Sequence, residues 1–190
     1  SDQLQKKPAT IISGMGGSHL AADLLKSVYP ALTLFVHKDY GLPPMHEAYF
    51  QNCLFVASSY SGNTEECIDG LEEAKKKGVA SAVISVGGQL QKLAATYELP
   101  YIKLPDTGIQ PRSALGFSLL ALMKVMGLEQ ELTQLRALSD TLDAERVESF
   151  GKELADTVRG YIPIIYSSSR NKSVAYNWKI KCNETGKIPA

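Results

Sequence analysis

The residues of this sequence best suited to chemistry are hydroxyls. The run Ser59-Tyr60-Ser61-Gly62-Asn63-Thr64 gathers Ser59, Ser61 and Thr64 directly behind the apolar stretch Cys53 to Ser58 and in front of a helical pattern that starts at Glu65. A helix opening there presents its first unpaired N–H groups and its positive dipole end to the turn, an arrangement that favours an anion and needs no lysine. Phosphate suits such a turn. A plainer use is also open: Ser61 or Asn63 could cap the helix, with Glu66 completing a capping box from Asn63. Capping accounts for one or two of these residues rather than for the cluster, while Glu65 and Glu66 add negative charge beside it.

Three further places carry reactive types. Gly14-Met15-Gly16-Gly17-Ser18 follows a short apolar run, and with Asp39 near the end of the next strand it imitates a dinucleotide fingerprint. The match is partial, because His19 stands where the third glycine belongs. Arg112, in Pro111-Arg112-Ser113-Ala114, supplies a permanent positive charge, and Glu184, in Asn183-Glu184, supplies a carboxylate. Taken alone, Arg112 reads equally as a surface arginine opening a helix after Pro111, and Glu184 as a solvated residue. His19, His37 and His46 are too scattered for a metal site, and Cys53, Cys67 and Cys182 form neither a C-x-x-C pair nor an even set. No metal site is expected from these residues, and nicotinamide binding stays a weak rival reading.

The elements that must position these residues alternate. Thr10 to Ser13 reads as a strand, His19 to Tyr29 as a helix with Leu20, Leu24, Leu25 and Val28 at helical spacing, and Leu32 to Val36 as the next strand. Cys53 to Ser58 is a third strand, Glu65 to Lys77 a helix stopped by Gly78, Val79 to Val86 a fourth strand closed by Gly87-Gly88, and Leu90 to Tyr97 a helix. Tyr101 to Leu104 completes the set behind Pro100, and Ser113 to Met126 gives a buried helix. The apolar runs alternate little, as a sheet covered on both faces requires. The expectation is a doubly wound α/β fold, a five-stranded parallel sheet of order 2-1-3-4-5 flanked by helices. In that order ligands bind where the winding reverses, between the first and third strands, which brings the Gly14–Ser18 and Ser59–Thr64 loops together.

Leu128 to Val158 is polar and helical, with Leu132, Leu135, Leu138 and Leu142 as a stripe that reads first as core-facing. After Gly160 the pattern restarts with a strand, Tyr161 to Tyr166, and a helix, Asn171 to Cys182. Residues 1–158 are expected to form the first domain with its following helical segment, and 159–190 the incomplete beginning of a second α/β unit. A compact reading, in which the tail packs back on the first core, stays open.

Composition narrows the function classes. The 190 residues are 44% hydrophobic, enough for one substantial core, and 20 basic residues balance 20 acidic ones. No global field favours nucleic acid or an anionic membrane, so anion recognition has to be local. No segment approaches the ~18 uninterrupted apolar residues of a membrane span. Ser1 to Gln5 lacks the apolar run of a signal peptide, and the cysteine usage fits a reducing cytoplasm.

Gly14-Met15-Gly16-Gly17-Ser18, Ser59 to Glu65, Pro111-Arg112-Ser113-Ala114 and Asn183-Glu184, in this order, resemble sugar isomerase (SIS) domain proteins. More narrowly they resemble the bifunctional phosphoglucose/phosphomannose isomerases, of which this chain would be the N-terminal portion. The resemblance implies two SIS domains, a homodimer, and cofactor-free interconversion of aldose and ketose 6-phosphates through an enediol. It implies that Ser59, Ser61 and Thr64 hold the phosphate and that Gly17 and Ser18 line the sugar site. Arg112 would stabilise the enediolate, and Glu184 would be the base that moves a proton between C1 and C2. The family's ring-opening histidine, which lies beyond the Asn-Glu motif and serves the partner subunit, has no counterpart here, nor do a lysine and a threonine of the second domain. The alternative is a non-catalytic SIS module that senses a sugar phosphate, although no basic helix-turn-helix pattern accompanies it. A third reading is another SIS enzyme, such as an arabinose 5-phosphate isomerase.

Overall fold

Cys53, Phe55 and Ala57 must point to one side of their strand and Leu54, Val56 and Ser58 to the other, so a segment buried at all six positions needs cover on both faces. In the computed structural model, which describes residues 7–190, it has that cover. The segment Ser1 to Gln5, read above as lacking the apolar run of a signal peptide, lies outside the described residues. Five strands, Ala9–Ser13 (β1), Leu34–His37 (β2), Cys53–Ser58 (β3), Ala80–Ser85 (β4) and Tyr101–Lys103 (β5), form one parallel sheet in the order β2-β1-β3-β4-β5. Thr10 aligns with both Leu34 and Leu54, and Ser13 with both His37 and Ala57, so β1 is the strand at which the winding reverses.

The helices follow their apolar spacing. Leu20–Val28 (α1) and Leu115–Val125 (α5) pack together on one side of the sheet. Glu65–Lys76 (α3) and Gly88–Thr96 (α4) cover the other, where Cys67, Leu71, Ala74 and Leu90 meet Ile11, Phe55, Ala57 and Val83. Burying a side chain such as Phe55 contributes roughly 1.5–3 kcal/mol. The four-residue helix Glu47–Phe50 (α2), capped by His46, escapes the periodicity argument because one turn carries no period.

The chain divides into two units, the second being Glu129–Ala190. That unit contains Glu129–Ser139 (α6), Ala144–Thr157 (α7) and Lys172–Ile180 (α8). Of the leucine stripe, Leu132 is buried whereas Leu138 and Leu142 are exposed. Tyr161 to Tyr166, expected as a strand, is not one: no described strand lies beside it, and Tyr161 and Tyr166 are 73% and 87% exposed. A strand exists only through ladder bonds to a neighbour, and an apolar run without that neighbour stays unpaired.

Burial pushes the Cys67 thiol up to about 11 and also raises Cys53, while Cys182 is half-buried. At pH 8 the Cys67 thiol is therefore protonated as well as covered. Thiol labelling of the native chain at that pH should modify Cys182 first, with Cys53 and Cys67 following only on denaturation; rapid native labelling of Cys67 would contradict this packing.

No helix among the described residues is long and apolar enough to cross a membrane.

Candidate functional site

The two loops after β1 and β3 meet, as the reversal of the sheet at β1 requires. Gly14 N donates to His37 O at 3.2 Å, which extends the β1–β2 ladder by one residue before the chain turns. Gly16 then takes φ +54°, and Gly16–His19 forms a single 3-10 turn that leads into α1. Within it, Ser18 Oγ accepts from Tyr60 N at 3.1 Å, and Ser58 Oγ donates to Ser18 O at 3.4 Å. A Cβ on Gly14 would lie 3.0 Å from Ser58 O, tighter than ordinary van der Waals contact, so a side chain there would press the two loops apart by a few tenths of an ångström.

Inside the serine turn the hydroxyls converge. Ser59 Oγ lies 2.7 Å from Thr64 Oγ1 and 3.5 Å from Ser61 Oγ. Ser59 Oγ also accepts from Gly62 N, and Ser61 Oγ accepts from Asn63 N, so the turn is wound around its own hydroxyls. Ser59 is buried, Thr64 half-buried and Ser61 exposed, which grades the cluster from the core to solvent. Thr64 is the N-cap residue of α3, and it makes no side-chain cap bond.

The capping alternative is therefore not the one the chain uses. Asn63 Oδ1 accepts from Gln89 N of α4 at 2.9 Å, so it caps the neighbouring helix rather than its own, and the Asn63–Glu66 capping box is not formed. Glu65 accepts from the Tyr40 hydroxyl at 3.2 Å. One and two turns along α3, Asp69 accepts from Gly41 N and Glu73 from Leu42 N, so three carboxylates at four-residue spacing strap the Tyr40–Leu42 segment to the helix.

Arg112 lies in the 3-10 turn Pro111–Ser113, which begins at a proline and leads into α5. This turn sits on the first loop. A Cβ placed on Gly17 would lie 2.6 Å from Arg112 N and 2.8 Å from Pro111 C. Tyr60, buried between the loops, donates its hydroxyl to Pro105 O at 3.3 Å and so ties the serine turn to the segment approaching Arg112. Gly17, Ser18, Ser59, Ser61, Thr64 and Arg112 thus belong to one neighbourhood of the first unit. Glu184 belongs to the second unit, on a π-helical turn, Lys181–Thr185, that continues α8. Such wide turns recur at functional positions.

The histidines are occupied locally. His19, 2% exposed, has Nδ1 2.6 Å from Asp23 Oδ2, with Lys38 Nζ 3.8 Å from the same oxygen. Half-burial would raise the Asp23 carboxyl, but the hydrogen bond and charge of His19, with Lys38 and Lys26, outweigh it and hold the group below its ordinary value. His37 Nε2 pairs with Tyr40 O and His46 Nδ1 with Ala48 N. At the position where a dinucleotide loop has its third glycine, the chain has this buried imidazole, hydrogen-bonded to Asp23.

Comparison with known proteins follows the same lines. A family model described as bacterial phospho-glucose isomerase C-terminal SIS domain matches residues 148–190. The bifunctional phosphoglucose/phosphomannose isomerase of Thermoplasma acidophilum is 36% identical over 184 residues, which is 95% of this chain and 56% of that protein. Its counterpart in Aquifex aeolicus is 34% identical over 186 residues, with the same two shares. Among solved structures, the C-terminal domain of glucosamine-fructose-6-phosphate aminotransferase from Francisella tularensis aligns with a TM-score of 0.67 at 16% identity, covering 97% of this chain and 58% of that one. That likeness establishes the fold. The chain spans little more than half the length of the curated relatives it matches. With a parallel sheet of order 2-1-3-4-5, a serine turn at its switch point and this identity along nearly its whole length, the chain is similar throughout to the bifunctional phosphoglucose/phosphomannose isomerases.

Proposed function

We propose that this chain is the N-terminal portion of an aldose–ketose isomerase that interconverts glucose 6-phosphate or mannose 6-phosphate with fructose 6-phosphate. The observation that carries the reading is the convergence of the Ser59, Ser61 and Thr64 hydroxyls at the start of α3, with no side-chain cap over the first amides of that helix. Hydroxyl donors and a helix N-terminus together satisfy a dianionic phosphate in a chain with no net charge. The relatives' names support the substrate class.

In this reading the phosphate anchors the sugar on the serine turn, and Gly17 and Ser18 border its carbon chain. Glu184 removes the proton from C2 of the open-chain aldose. The C–H electron pair forms the C1–C2 double bond, and the C1 carbonyl oxygen becomes the enediolate oxygen, whose charge the Arg112 guanidinium stabilises. Returning the proton to C1, with the C2 hydroxyl proton shifting to the C1 oxygen, gives the ketose. No oxidant or metal enters this balance. Residues 1–158 would be the first SIS domain with its helical segment, and 159–190 the start of the second, whose remainder would supply the neighbours Tyr161 to Tyr166 lacks. A homodimer in the cytoplasm is the assembly that the family resemblance suggests.

Isothermal titration of the chain with fructose 6-phosphate, free fructose and NAD tests the binding half of the proposal. Binding that requires the phosphate is the expected result; absence of sugar-phosphate binding by both the chain and the full-length protein would overturn it. Binding without isomerase activity in the full-length protein would favour the sensing module instead. Thr64→Val, which removes a hydroxyl from the cluster while keeping the side chain's shape, should weaken fructose 6-phosphate binding by about tenfold or more. Unchanged affinity would move the phosphate away from this turn.

A further inference from the structure

The turn after β4 has no role in the chemistry above, yet it is bonded to the serine turn along its length. Ser59 N donates to Ile84 O at 3.1 Å, Val86 N to Tyr60 O at 2.9 Å and Leu90 N to Gly62 O at 2.9 Å. Asn63 Oδ1 adds the bond to Gln89 N. The two backbones approach so closely that neither tolerates a side chain. A Cβ on Gly88 would stand 2.5 Å from Ser61 O and 2.7 Å from Asn63 Oδ1, and one on Gly62 would overlap Gly87 O. The turn is itself held from the sheet edge, where Ser85 Oγ donates to Gly87 O at 2.8 Å and the Tyr101 hydroxyl donates to Ser85 O at 3.1 Å.

Resting on the phosphate reading above, we propose that Asn63 and the Gly87–Gly88 turn are positioning elements, a clamp that holds the serine turn in its phosphate-binding shape before the ligand arrives. Two physical effects act together. A turn of small hydroxyl residues would lose conformational freedom on binding, and bonds made in advance to a fixed neighbour remove that loss from the binding step. The second effect concerns competition. An asparagine just before a helix ordinarily accepts from that helix's own first amides, the groups a phosphate would need. Commitment of Asn63 Oδ1 to Gln89 N keeps it off the start of α3 and caps α4 with the same bond.

The experiment compares two glycines that carry the same backbone strain but have different neighbours. Gly88 has φ +74° and Gly78 has φ +66°, so alanine is disfavoured by the backbone at both positions, yet nothing lies within 4 Å of a Cβ on Gly78. Calorimetric titration of the chain with fructose 6-phosphate should show Gly88→Ala binding about tenfold or more weakly than wild type. Gly78→Ala should bind as wild type, although thermal unfolding shows both variants destabilised. Asn63→Ala removes the tether without crowding, and decides the matter if Gly88→Ala does not fold. Its affinity should also fall. Wild-type affinity in Asn63→Ala together with wild-type affinity in any folded Gly88→Ala overturns the clamp and leaves the phosphate reading standing. Failure of both the wild-type chain and the full-length protein to bind fructose 6-phosphate overturns the clamp by removing the reading on which it rests; where only the full-length protein binds, the same variants are compared in it.

Discussion

With Glu184 as the proposed base, Glu184→Gln in the full-length protein is expected to lower turnover by ~10²-fold or more while leaving the Michaelis constant for glucose 6-phosphate nearly unchanged. Glutamine keeps the length and shape of the side chain and removes its charge and basicity. Lys181–Thr185 is a π turn closed by Gly186 N to Lys181 O at 3.0 Å, and it is followed at Ile188 by a second bond, to Cys182 O. These are backbone interactions that the substitution does not touch. Gly186 itself is fixed by close approach, since a Cβ there would stand 2.8 Å from Cys182 O. A fall in turnover with intact binding isolates the proton-transfer step. Solvent exchange of the substrate's C2 hydrogen should slow in parallel, because that exchange requires the same base. Near-normal turnover and exchange would remove Glu184 from the role and leave the serine turn as the part of the site that stands.

The sheet was legible because parallel strands buried on both faces must be continuous apolar runs, and Cys53 to Ser58 and Ala80 to Ser85 are such runs. Strand order then placed the Gly14–Ser18 and Ser59–Thr64 loops side by side without knowledge of any contact. The partnerships within the site were not legible. Asn63 three residues before Glu66 has the spacing of a capping box, and only the position of the β4 turn, set by tertiary packing, sends its side chain to Gln89 instead. Glu65, Asp69 and Glu73 have the spacing of a solvated helix face, yet each accepts from one of three consecutive residues of a loop far away in sequence. Tyr161 to Tyr166 has strand composition without a strand, because composition expresses a preference for pairing and cannot supply the neighbour. Gly17 was read as a residue beside the sugar, and the glycine spacing gave no hint that another backbone rests on it.

That contact sets the second large effect. In the proposed mechanism, where Arg112 stabilises the enediolate, Gly17→Ala is expected to lower turnover by about 10²-fold by displacing Arg112, because a misplacement on the order of 1 Å at such a group has that consequence. The atoms a new Cβ would meet are Arg112 N at 2.6 Å, Pro111 C at 2.8 Å and Arg112 Cα at 2.9 Å, all backbone, so no flexible side-chain end can swing away. Gly17 shows no left-handed φ, and the effect is therefore contact rather than strain. Gly16 supplies the reverse case, with φ +54° and nothing within 4 Å of a Cβ, so Gly16→Ala introduces strain without contact and should alter turnover far less. Arg112→Ala should be as damaging as Gly17→Ala, and the double variant little worse than Arg112→Ala alone, since residues acting through one group are not additive. If Gly17 served only to leave room for the sugar, the alanine would raise the Michaelis constant with turnover preserved, and its effect would multiply with that of Arg112→Ala. The split between those two patterns decides whether this glycine only borders the proposed substrate or also seats Arg112 against it.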